Sequence, residues 1–231
     1  MPTETLAALL ERNRDHVGSL TADHFEAVRD AQHPEVVSIC CADSRVSQEG
    51  MWNVDDPGWL FTPSNIGNQV WDLVDGELVV DGGVLYPIQN TDTRCVAVVG
   101  HTGCGAVTAA LEAVRGDGKP DHPGVRQWVE LLVPIVADGL TEGPIDPEME
   151  WDELVDTLVE YNVREQVAFL SGSSHVDEDV EVFGFVYDMH GRYGGEPGTA
   201  YLVAANNETD ADALRELVPE GYENVVASLL D

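Results

Sequence analysis

Two short runs, EVVSIC (35–40) and RCVAVVG (94–100), limit the folds open to this chain more than any other feature. Both are apolar and rich in β-branched residues, as buried strands are. VEVFGFVYDM (180–189) and TAYLVAA (199–205) read as further strands around the turn HGRYGGEPG, and GWLFTPS (58–64) as a weaker one. Helical spacing marks the segments between them. Residues 104–115 and 123–137 predict helices, and 151–170 repeats Trp151, Leu154, Val155, Leu158, Val159, Val167 and Leu170 as a long amphipathic helix. Residues 3–16 and 20–31 predict two N-terminal helices, and LVVDGGVLYPIQN (78–90) another despite Gly82, Gly83 and Pro87. Two more helices close the chain from about residue 210. Strands alternating with helices predict an α/β fold, a single domain over 1–231 with a central, mostly parallel sheet flanked by helices. Residues 1–32 form a helical arm, and 33–231 the α/β core with its C-terminal helices.

Charge narrows the partners. Against 43 acidic residues stand 11 basic ones, for a net charge of −32, and Lys119 is the sole lysine. Nucleic acid and anionic membrane both need a basic surface, so neither is a partner. The acids are spread along the chain rather than gathered in a tail, a surface that resembles those of halophilic archaeal proteins. At molar salt the Debye length falls to roughly 3 Å, which screens such self-repulsion. The N-terminus lacks a basic start and an uninterrupted apolar stretch, and no later segment is long and apolar enough to span a bilayer. The expected location is the cytoplasm, a reducing compartment in which cysteines such as Cys40, Cys41, Cys95 and Cys104 favour metal binding or catalysis over disulfides.

Two strand ends carry the chemistry. The first run leads into CCADSR, the second into GHTGCGAV. Successive side chains of a strand point to opposite faces, so Cys40 and Cys41 cannot share one pocket. Function in parallel sheets gathers at the carboxyl ends of strands. If the two strands are neighbours, Cys41, His101 and Cys104 converge there. Two thiolates and an imidazole suit zinc, and three protein ligands leave the fourth position open, as in catalytic sites. Buried cysteines are more often small hydrophobes, and Cys40 and Cys95 are assigned that role. His16, His24, His33, His122, His175 and His190 have no ligand-like spacing and read as surface or core.

Cys41-x-Asp43-x-Arg45 together with His101-x-x-Cys104 resembles the paired signatures of the β-class carbonic anhydrases. FTPSNIGNQV (61–70) is similar to that family's Arg-Asn-x-x-Asn segment, and GFVYDMHGRYG (184–194) to its late strand and turn. The resemblance implies a zinc enzyme that reversibly hydrates carbon dioxide to bicarbonate and a proton. It implies one Zn2+ per chain on Cys41, His101 and Cys104, with Asp43 and Arg45 as the dyad that orients the attacking hydroxide. Backbone N–H groups around Gly103 and Gly105, at a helix start, then steady the bicarbonate. It also implies homodimers or multiples of dimers, with N-terminal helices reaching over the partner. Two positions depart from the pattern. Ser64 replaces the arginine of the Arg-Asn segment, which in some relatives helps hold regulatory bicarbonate, and Gly103 stands where an acid is common. A carbon disulfide or carbonyl sulfide hydrolase on the same fold is one competing reading, and a non-catalytic zinc or thiol sensor another. The Asp43–Arg45 pair argues against the sensor, which needs no positioned acceptor.

Overall fold

The computed structural model describes residues 2–230. Helix α1 (Pro2–Ser19) is followed by turns up to the first strand, β1 (Val36–Cys41). A short helix α2 (Gln48–Met51) and two two-residue strands, β2 (Leu60–Phe61) and β3 (Ser64–Asn65), precede the hairpin of β4 (Trp71–Val74) and β5 (Glu77–Val80). Helix α3 (Gly82–Asn90) leads into β6 (Cys95–His101), and helices α4 (Gly105–Arg115), α5 (Pro123–Thr141) and α6 (Trp151–Ser171) follow. Strands β7 (Glu181–Asp188) and β8 (Thr199–Ala205), helix α7 (Ala211–Leu217) and a 3-10 turn at Glu223–Val225 complete the chain.

The main sheet runs β2-β1-β6-β7-β8, with β3 also on β1. Every pairing in it is parallel except β7 with β8. This is the α/β architecture with a mostly parallel central sheet that the alternating pattern predicts. Strand β6 sits near the middle and is buried on both faces. Val96 and Val98 join the larger core, while Ala97 and Val99 join a smaller cluster with Cys40 on the other face. Helix α6 lies tight across β6 and β7 because both strands carry glycine beneath it. A Cβ at Gly100 would come within 2.7 Å of Val163 Cγ2, and one at Gly184 within 2.8 Å of Val163 Cγ1. Any side chain there would push the helix off the sheet.

Several elements differ from the sequence reading. Residues 20–31 form successive tight turns, with His24 N–H donating to Thr21 O and Glu26 N–H to Asp23 O. Short polar and β-branched residues compete with or crowd a helix there, so the helical arm reduces to α1. The first part of 78–90 is strand β5, and the helix starts only after Asp81, whose side chain caps the Gly83 and Val84 N–H groups. Asp75 and Gly76 both have positive φ and turn β4 into β5, an Asp-Gly hairpin signal that 71–80 carried in plain view. The 58–64 segment splits around Pro63, which has no N–H for the ladder. Of the two closing helices only α7 forms; a 3-10 turn replaces the other after Pro219. Helix α6 is not amphipathic, since Asp156, Glu160, Asn162 and Gln166 are buried along with its apolar face. Its polar residues are covered by other segments, Asp156 by Gly103 and Arg192, Gln166 by the Val70 N–H, and Glu160 by the C-terminal residues and Tyr193. Glu160 accepts from Tyr193 Oη at 2.7 Å, Ser228 Oγ at 2.9 Å and the Leu229 N–H at 2.8 Å.

Candidate metal centre

Register delivers the donors. Parallel pairing sets Cys40 of β1 beside Val99 of β6, so Cys41 and His101 end neighbouring strands at the same edge. The chain leaves His101 through a tight turn in which Gly103 has φ +67, then starts α4 with Cys104 as its N-cap. A left-handed φ of this kind favours glycine. Cys41 Sγ lies 3.7 Å from Cys104 Sγ, and one donor atom each from Cys41, His101 and Cys104 lie within 4.8 Å of one another. Among the described residues no other group of this kind forms. Cys40 is on the opposite face, packed with Val46, Met51 and Trp52, and burial pushes its thiol up to about 12. Cys95, at the start of β6, is likewise held protonated by burial, at about 11.

The imidazole is oriented for a ligand. His101 is fully buried, and its Nδ1 lies 3.0 Å from the Thr102 carbonyl, a contact it can make only as a donor. In the neutral ring Nε2 then carries the lone pair, and it has no hydrogen-bond partner despite its burial. A buried nitrogen in that state is costly unless something accepts the lone pair. The sulfurs behave as a pair. A hydrogen bond from Cys104 lowers the Cys41 thiol to about 5, while the same contact and then burial raise Cys104 well above its usual range. Burial opposes protonation of His101, but the Cys41 sulfur beside it outweighs that and raises its pKa. Two sulfurs and one nitrogen are a donor set that fits zinc.

Asp43 and Arg45 sit at the lip of this cluster. Arg45 grips the carboxylate as a fork, Nε to Oδ1 at 2.9 Å and Nη2 to Oδ2 at 2.7 Å, and its own backbone N–H adds a third bond at 2.9 Å. These bonds hold Asp43 well below the usual carboxylate range. Oδ2 of Asp43 lies 3.6 Å from His101 Nε2, so the carboxylate reaches the donor set without joining it.

Of the two glycines at the helix start, Gly103 has its N–H already engaged. The Gly103 N–H donates to Asp156 Oδ1 at 2.7 Å and is not free to meet a substrate oxygen. Gly105 opens α4 with open space where a side chain would stand. Ser64 is engaged as well, accepting from Gln48 Nε2 at 3.0 Å. Sequence reasoning missed three residues around the turn. Asp156 binds Gly103, Arg192 binds Asp156 through Nε at 2.7 Å, and His190 Nδ1 lies 2.8 Å from Thr102 Oγ1. With Thr108 and Trp151 they line a cavity of about 240 Å³ behind the turn. An acid set among Leu154, Val155 and Leu158 was the one available signal.

The carbonic anhydrase family model matches residues 36–193, which span both strand ends and most of the sheet. Carbonic anhydrase 2 of Mycobacterium tuberculosis is 30% identical over 179 residues, covering 75% of this chain and 79% of that protein. Among solved structures, the β-carbonic anhydrase of Coccomyxa, in complex with acetazolamide, superposes with a TM-score of 0.66 at 27% identity, covering 91% of each chain. A β-carbonic anhydrase of Aspergillus fumigatus superposes with a TM-score of 0.68 at 26% identity, covering 92% of this chain and 96% of that one. With motif, fold and relatives in agreement, the chain belongs to the β class of the carbonic anhydrase family.

Proposed function

We propose that this protein reversibly hydrates carbon dioxide to bicarbonate and a proton, using one zinc per chain held by Cys41, His101 and Cys104. The observation that carries this reading is the buried, unpartnered His101 Nε2 facing two sulfurs, with an ionised carboxylate 3.6 Å away. Zinc, when bound, lowers the pKa of a water enough to give a nucleophile near neutral pH. The chain supplies the rest. Asp43, kept ionised by Arg45, only accepts hydrogen bonds. It therefore holds the attacking oxygen by its proton and turns a lone pair toward the carbon. Its depressed pKa unsuits it to storing the released proton, because a group that trades protons works best near the operating pH. Arg45 fixes the carboxylate's rotamer through the fork and keeps it from swinging onto the three donors. The relatives' shared name supports the substrate assignment.

The reading extends to the protein's setting. A net charge of −32 supports a salt-rich cytoplasm, and the exposed Leu6, Leu9, Leu10 and Val17 of α1 support a homodimer or multiple of dimers in which the arm meets a partner chain. Among the described residues no helix is long and apolar enough to cross a membrane.

Stopped-flow carbon dioxide hydration by the zinc-loaded protein in molar potassium chloride is the direct test, with carbon disulfide and carbonyl sulfide as parallel substrates. Rapid hydration supports the proposal. Turnover of the sulfur compounds without hydration would replace it with the hydrolase.

A further inference from the structure

We propose that Asp156 is a positioning residue for the Asp43–Arg45 pair and acts through Gly103; the inference rests on the reading of the site given above. Gly103 is tied at both polar ends. Its N–H donates to Asp156 Oδ1 at 2.7 Å, and its carbonyl accepts from Arg45 Nη2 at 3.3 Å. One glycine thus joins a buried carboxylate of α6 to the guanidinium that grips Asp43.

The carboxylate is built in. Asp156 is 2% exposed, and its second oxygen accepts from Arg192 Nε at 2.7 Å. A buried charge is costly unless paired and hydrogen-bonded, and here the pairing and the backbone bond are both present. Charge therefore alternates along a continuous line from Arg192 through Asp156 and Gly103 to Arg45 and Asp43.

The turn has little freedom of its own. A Cβ at Gly103 would stand 2.8 Å from His190 Cε1, and the His190 ring is itself fixed by Thr102 Oγ1. His190 blocks one side of Gly103, and Asp156 holds its N–H. Without the carboxylate the N–H loses its acceptor, and the left-handed conformation loses the one hydrogen bond that ties it to α6. The Gly103 carbonyl then drifts from Arg45. Arg45 keeps its three bonds to Asp43 but loses the anchor that sets where the pair stands relative to His101 Nε2.

The test begins on zinc-free protein, where it does not depend on turnover. Nuclear magnetic resonance of the wild type should show the Gly103 N–H protected from exchange and the Arg45 Nε–H as a distinct, slowly exchanging signal. Asp156→Ala should lose Gly103 protection and shift the Arg45 Nε–H. Asp156→Asn retains an oxygen acceptor without charge and should give smaller changes of the same sign. It also guards against failure of the alanine variant to fold. Arg45 Nε–H signals unchanged in Asp156→Asn and in any folded Asp156→Ala would overturn the proposal.

The zinc-loaded enzymes then supply a double-mutant cycle. Asp156→Ala should lower kcat about 10- to 100-fold with KM little changed, the range seen when outer partners of a metal site are removed. Combined with Arg45→Ala, it should cost at most about twofold more than Arg45→Ala alone, since both break the same line. Losses that multiply in the double variant would make Asp156 a structural residue and sink the inference. A wild type without hydration activity would remove the proposed reaction, while the resonance comparison would still decide whether Asp156 positions Arg45.

Discussion

The strand ends of β1 and β6 and the arm at the N-terminus carry similar numbers of apolar residues in short windows, yet they behave as opposites. At the strand ends Val37, Ile39, Val96 and Val98 are fully buried, and each donor side chain is held by register or a backbone bond. Along α1, Leu6 is 55% exposed and Leu10 63% exposed, so its apolar stripe meets no core in a single chain. The difference shows that hydrophobic spacing specifies local structure, whereas burial depends on what the rest of the fold presents. The strands find neighbours in their own sheet, whereas nothing within the chain covers the arm's apolar stripe.

The comparison is sharpened most by breaking the site without touching its donors. Asp43→Asn should retain zinc yet lose about a hundredfold or more in kcat at neutral pH, because an amide can turn its NH₂ toward the attacking oxygen and offers it no charge. Arg45→Ala should leave the carboxylate free to turn onto the donor set, giving inactivity below neutral pH with partial recovery at alkaline pH. The wild-type profile should not follow Asp43 itself. A depressed folded pKa contributes stability above the unfolded value of about 3.9, lost only as pH falls through the folded value. The pair therefore remains charged throughout the neutral range. Activity against pH for both variants checks this, and full activity in Asp43→Asn would make the dyad structural.

Removing the arm probes the other side. A chain lacking residues 2–19 should bind as much zinc as the full chain, while its sedimentation coefficient drops as the assembly weakens. An unchanged assembly would show that α1 faces solvent in the functional protein too. Salt should have the smallest effect. Raising potassium chloride from millimolar to molar should raise the melting temperature by about 2–4 °C for each kcal/mol of relieved repulsion. A flat series would remove the halophile reading.

The same contrast explains what was legible in the sequence. Strands β1 and β6 stood out because parallel strands covered on both faces are short and uniformly apolar. Cys41, His101 and Cys104 could be read because each lies at or just beyond such a run, where strand alternation puts Cys40 and Cys41 on opposite faces and the motif resemblance selects Cys41. The β4–β5 hairpin was hidden by the apolar stretch that joins it to α3, although Asp75-Gly76 marked its turn. Asp156 lies 53 residues from its Gly103 partner, and Arg192 36 residues from Asp156. No window of sequence contains those pairs, and only the folding of α6 across β6 and β7 brings them to the turn.

The central claim is that strand alternation assigns the metal to one of two adjacent cysteines, and zinc analysis of purified Cys41→Ser and Cys40→Ser tests it most directly. Cys40 packs in the opposite cluster, so Cys40→Ser should retain about one zinc per chain. Cys41→Ser, lacking one of the three donors, should lose nearly all of it. Equal loss in both variants, or retention in Cys41→Ser with loss in Cys40→Ser, would contradict the account.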